Sequence, residues 1–359
     1  MAGDIGITES IVARPAAGRA AATAAGRPVL HEYGPSIRIG IGAAPAGARM
    51  AAPINARALS RNERLGLSAL KLRESPAYVS RKQRRPYDER AWARGPAPLH
   101  PKEEPIVGRG AKKKVGRATA ARAPLAKRLA GRIAVGVIMV SGPGRLALKN
   151  SQQVKIAAEI QNGLSWLGAQ SPARDVTWVH DNHHVTVDVA PATGPTGERW
   201  EHFEKPWRDA ALVKLGFPKG AAGVDAYIRA LKTGKSAGAA YCAFFTHYPL
   251  NHFAYCTGPY LVMAYGNDGW GPDNLDRVFA HESGHVFDAP DEYQDSVCNC
   301  RGSHGFFRKP NTNCESCAPG GGVDCIMKAN SWAMCSVTPY HLGYKGLPTA
   351  APPLARHEA

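Results

Sequence analysis

Apolar and polar positions change rhythm along this 359-residue chain, and each change predicts an element. Residues 133–140, IAVGVIMV, are apolar without alternation, which suits a strand covered on both faces. Ile156, Ile160, Leu164 and Leu167 then recur at helical spacing. A helix capped by Asn150, with Gln153 at its third position, would lay that stripe on a sheet. From 176 to 189, VTWVHDNHHVTVDV alternates on both sides of Asp181-Asn182 and predicts two strands around a turn. Val224, Tyr227, Ile228 and Leu231 mark a second, shorter helix, and residues 239–248 and 260–265 read as two further strands. Leu275, Val278, Phe279 and Val286 give one apolar side to a helix capped by Asp273, with Asp276 at its third position.

Before residue 131 this patterning fades. The first 130 residues are rich in Ala, Arg, Gly and Pro and carry a single tryptophan, Trp92, so most of them are expected to be disordered. The exception is a short helix within Asn62 to Tyr78, lined by Leu65, Leu67, Leu70 and Leu72. The expected division is a basic leader or pro-segment over 1–130, a folded domain over 131–347 and a tail over 348–359. Hydrophobic residues make up 44% of the chain, enough for a core. No run approaches the ~18 apolar residues of a membrane helix, so no membrane span is expected. Arg14 and Arg19 interrupt any secretory apolar region, so no signal peptide is recognisable.

Net charge changes the picture only for the leader. The formal charge is +16, and residues 1–130 hold 25 of the 45 Lys and Arg against 9 of the 29 acidic residues, so the remainder is neutral. Such a segment could neutralise nucleic-acid phosphates or coat an anionic surface, a rival function in which any zinc domain would be non-catalytic. Its low aromatic content and lack of a recognition fold make nucleic acid the less favoured partner.

Cysteines are confined to the other end: Cys242, Cys256, Cys298, Cys300, Cys314, Cys317, Cys325 and Cys335. An even count in a loop-rich stretch favours three or four disulfides and an oxidising, extracytoplasmic compartment, and Cys242 could bridge Cys256. The alternative is a second, structural zinc on Cys298, Cys300, Cys314 and Cys317, which form C-x-C and C-x-x-C pairs.

The chemistry concentrates in HESGH, residues 281–285. Two imidazoles at i and i+4 share one helix face and can grip one Zn²⁺, with Glu282 beside it as general base. Pro290 must end the helix and turn the chain back, bringing Asp291 round as third ligand and leaving the fourth position open for water. Asp288, seven residues past His281, is the alternative third ligand. Met327, in the CIM segment 325–327, could form a soft apolar base beneath the ligands. His180, His183 and His184 read as solvated loop residues, and no calcium site is assigned.

HESGHVFDAPD, residues 281–291, followed by Met327, resembles the metzincin clan of zinc peptidases, whose pattern is HExxHxxGxxH or D with a Met-turn. The DEY ending at 291–293 is similar to bacterial peptidases in which Asp-Glu-Tyr follows such a motif. The resemblance implies an α+β fold: a twisted mixed sheet, an active-site helix and a Cys-rich C-terminal subdomain. It also implies a zinc-dependent endopeptidase acting on peptide or protein substrates, with YLVMAYG (260–266) as the antiparallel edge strand that binds them and 336–344 as the start of a closing helix. Two positions depart from the clan pattern. Its glycine is Asp288 here, a residue that tolerates the left-handed conformation required, and the tyrosine some members carry after the methionine is Ala329, leaving Tyr293 as a substitute. Substrate preference and oligomeric state are not legible in the sequence.

Overall fold

The computed structural model describes residues 9–12, 29–41, 56–92, 127–194 and 200–344. The strands are β1 (Glu9–Val12), β2 (Val29–Glu32), β3 (Arg38–Ile41), β4 (Gly131–Ser141), β5 (Val176–Thr186), β6 (Ala239–Thr246), β7 (Ala254–Cys256), β8 (Tyr260–Ala264), β9 (Ser303–His304) and β10 (Lys309–Pro310). The helices are α1 (Arg61–Glu74), α2 (Pro76–Gln83), α3 (Asn150–Ala169), α4 (Trp200–Lys214), α5 (Gly220–Gly234), α6 (Leu275–Val286) and α7 (Thr338–Leu342).

β4 lies inside an eight-stranded sheet of order β1-β3-β2-β5-β4-β6-β8-β7. The five strands from β2 to β8 run parallel, and antiparallel strands close both edges. The unbroken apolar run of β4 follows from its position, because each face meets a different helical layer. Ile133, Val135, Val137 and Met139 pack with α3 and α6, whereas Ala134, Ile138 and Val140 pack with α4 and α5. The architecture is thus a mixed α/β sheet whose centre is parallel and covered on both faces. That refines the expected α+β class.

Several expectations are corrected. Residues 176–186 form one strand, not two around a turn, because β5 pairs with β4 continuously from Gly131↔Val176 to Ser141↔Thr186. Asp181 and Asn182 sit mid-strand on opposite faces, one taking the Tyr227 hydroxyl at 3.2 Å and the other donating to Asn62 Oδ1 at 2.6 Å. His180, His183 and His184 are therefore strand residues rather than loop residues, and His180 is fully buried. α3 is capped one residue earlier than expected, at Lys149, whose N–H donates to Gln152 Oε1 at 2.8 Å. α6 begins after Asn274, so Asp273 is not its cap, while Asp276 in the first turn accepts the Arg277 N–H at 2.9 Å. The strand over 260–264 pairs parallel to β6, and the antiparallel edge is β7, too short for its pattern to stand out in the sequence.

The leader is corrected most. Its described parts are folded: β2 pairs with β5, and α1 and α2 pack on α3. Two of its cations are buried: Lys82 pairs with Glu159 and Asp276, and Arg85 Nη1 lies 3.0 Å from Asp276 Oδ1. Residues 89–92 run beside 328–330, with Trp92 N–H donating to the Lys328 carbonyl at 3.1 Å.

Candidate metal centre

α6 carries the HESGH motif against the sheet through Leu275, Val278, Phe279 and Ala280. It ends at Phe287 in a Schellman turn: Asp288 N–H donates to the His285 carbonyl at 2.9 Å and Ala289 N–H to the Gly284 carbonyl at 3.1 Å. This closure needs a left-handed residue, and Asp288 supplies it at φ 65°. Its side chain turns away and accepts from Gly305 N–H at 2.8 Å. Asp288 is thus the helix stop, which removes it as alternative ligand. Pro290 acts only afterwards, steering Asp291 back over the helix.

Three ligand atoms then converge. His281 Nε2 and His285 Nε2 lie 3.1 Å apart, and Asp291 Oδ1 is 3.3 and 3.2 Å from them. Each imidazole is oriented from behind: Nδ1 of His281 donates to the Ile326 carbonyl at 3.0 Å, and Nδ1 of His285 to the Ala289 carbonyl at 2.8 Å. In the neutral imidazoles the proton sits on Nδ1, which leaves each Nε2 lone pair free for a metal. Asp291 Oδ1 is buried and has no hydrogen-bond donor. Two imidazoles and a carboxylate converging on one point suit a divalent transition metal.

The electrostatics agree. Burial alone would lower the His285 pKa, but Asp291 and Glu282 raise it to about 9, so the pocket favours positive charge. Burial would raise Asp291, yet the two imidazoles hold it well below the usual carboxylate range. Glu282 shifts the other way: burial, and then Asp291, push its carboxyl up, against the pull of both imidazoles.

Met327 lies in a turn beneath α6. A Cβ built on Gly284 would sit 2.8 Å from its Sδ, so the glycine inside the motif is what lets the methionine approach. Ala329 follows in the bridge to Ala91, while Tyr293 stands beside Asp291, its phenol pushed up by burial and by that carboxylate. Sequence reasoning missed Trp92, whose ring centroid is 5.2 Å from that of His281 and whose Nε1–H donates to the Ile326 carbonyl at 2.7 Å. Its only signal was being the leader's single tryptophan. β7 also borders the centre, because Glu282, after burial, contributes to raising the Cys256 thiol to about 12.

The cysteines resolve differently from expectation. Cys298–Cys314 and Cys300–Cys317 are disulfides, so those four sulfurs are not open to a structural zinc. Cys242 and Cys256 do not bridge each other. Cys325 and Cys335 are buried thiols grouped with Glu292. Among the described residues no helix is long and apolar enough to cross a membrane. Compared with known proteins, the chain matches no family model and no curated relative.

Proposed function

We propose that this protein is a metzincin-like, zinc-dependent endopeptidase. The supporting observation is the convergence of His281 Nε2, His285 Nε2 and Asp291 Oδ1 beside the buried Glu282. When bound, the metal acidifies a water ligand and polarises a carbonyl. Glu282, one residue after the first ligand, is placed to take a proton from the attacking water and deliver it to the leaving amine. Its raised pKa suits both halves of that transfer. The Ile326 and Ala289 carbonyls hold the two imidazoles in register. β7, outermost on its side of the sheet among the described residues and bordering α6, is the edge on which an extended peptide would add as a further strand. The two disulfides and the lack of a membrane-crossing helix among the described residues fit an oxidising, extracytoplasmic setting.

Zinc content and peptide cleavage test this together. Wild type should hold one zinc per chain and His281→Ala none, while Glu282→Ala should keep the zinc and lose at least ~10²-fold in cleavage rate. A Glu282→Ala variant with full activity would remove that residue from its role. Wild type that takes up no metal would sink the reading altogether.

A further inference from the structure

We infer that Cys325 and Cys335 are the site of a third disulfide, one that clamps the turn behind the metal centre. Both are buried, and their sulfurs belong to one cluster with Glu292 whose ligand atoms lie within 4.8 Å of one another. Both also meet the Thr338 hydroxyl, Cys325 Sγ at 3.4 Å and Cys335 Sγ at 3.2 Å.

Their setting favours a sulfur–sulfur bond over a second metal. At the centre on α6 two imidazoles and a carboxylate converge on one point, whereas here Glu292 Oε1 receives Thr338 Oγ1–H at 2.9 Å and Cys335 Sγ–H at 3.1 Å. Glu292 Oε2 receives Asn313 Nδ2–H at 2.7 Å. The carboxylate is already hydrogen-bonded by three donors, and Thr338 and Asn313 still serve it when the Cys335 proton is lost. The chain around the pair also carries two disulfides already, so conditions that form those bonds act on these thiols too.

The place gives the bond its consequence. Cys325 precedes Ile326, whose carbonyl orients His281, and Met327, whose carbonyl accepts Glu292 N–H at 3.0 Å, one residue after Asp291. Cys335 lies beyond the return of this loop, where Ile326 N–H donates to the Ala333 carbonyl at 2.7 Å. A bridge closes the loop covalently and holds fixed the backbone that positions His281 and Asp291. In the step, a low-molecular-weight disulfide takes the two electrons: the Cys325 and Cys335 S–H bonds break, one S–S bond forms between them, and two small thiols leave with the protons.

The test is a thiol count by mass spectrometry on the full chain, refolded in a glutathione redox buffer with and without zinc, then denatured and alkylated without reduction. Two alkylated cysteines, Cys242 and Cys256, are expected in wild type, and three in Cys335→Ser, where Cys325 loses its partner. Four in wild type under both conditions would overturn the inference. Four only with zinc, accompanied by a second bound zinc, would also overturn it and assign the pair to a metal. The count does not depend on peptidase activity, so it stands or falls apart from the proposed function.

Discussion

A single imidazole pair shows how burial sets the behaviour of this protein away from its candidate metal centre. His31 Nδ1 lies 2.9 Å from His180 Nε2, His31 Nε2 lies 2.9 Å from Ser165 Oγ, and the Tyr33 ring stacks on His180. Burial, and then Arg73, hold the His31 pKa well below its usual value; burial, then His31 and Lys235, do the same to His180. Unfolded imidazoles take up protons below about pH 6.5, and these folded ones resist. Stability from the pair is therefore complete above about pH 6.5 and falls as pH drops towards the folded pKa values, by up to ~1.4 kcal/mol per imidazole for each pH unit. Urea midpoints at about pH 7.5 and 5.5 should show this loss in wild type and a smaller one in His31→Asn. Equal losses would place the acid sensitivity elsewhere.

At the scale of elements, α6 is held as much by charge as by apolar packing. Asp276, in its first turn, is fully buried among Lys82, Arg85 and the Asn162 amide, and these groups hold its carboxyl well below the usual range although burial opposes them. Breaking a buried ion network leaves uncompensated charge and costs ~3–5 kcal/mol. Asp276→Ala, which strands Arg85 and leaves Lys82 only Glu159 as a counter-charge, should lower stability by about that amount in a denaturant titration. Because the same helix carries both histidines, zinc affinity should fall with it. An unchanged midpoint would show that the cations find other partners. Pattern reading located α6 correctly but saw its acidic start as capping, since the arginine and lysine that answer it lie almost two hundred residues earlier.

Over the whole molecule, the described segments of the basic first third belong to the fold. β2 extends the parallel sheet, α1 and α2 cover α3, and Trp92 reaches the backbone behind His281. A chain starting at Gly131 loses every one of these and leaves Glu159 and Asp276 buried without Lys82 and Arg85. One uncompensated network of that kind approaches the whole stability of an ordinary domain, ~5–15 kcal/mol. Residues 131–359 alone should therefore lack cooperative thermal unfolding and near-ultraviolet circular dichroism, and removing the leader should abolish cleavage rather than raise it. A folded and more active truncated chain would restore the pro-segment reading.

Local rules were enough for some of this protein. The apolar run of β4, the stripe of α3, and the two histidines with Glu282 on one helix depend on spacing within a single element, and spacing is written in the chain. The stop after α6 was read at Pro290, but the left-handed Asp288 makes it two residues earlier. Tertiary structure decided what depends on partners far apart. Only the sheet shows that Asp181-Asn182 is mid-strand, because eleven residues of β4 pair beside it. Only the fold separates Asp291 from Asp288, since the choice turns on which carboxylate the chain reversal aims at the imidazoles and which it gives to Gly305. The fate of the leader's described segments was least legible of all: they carry too little apolar surface to fold alone and pack on a core that begins downstream of them.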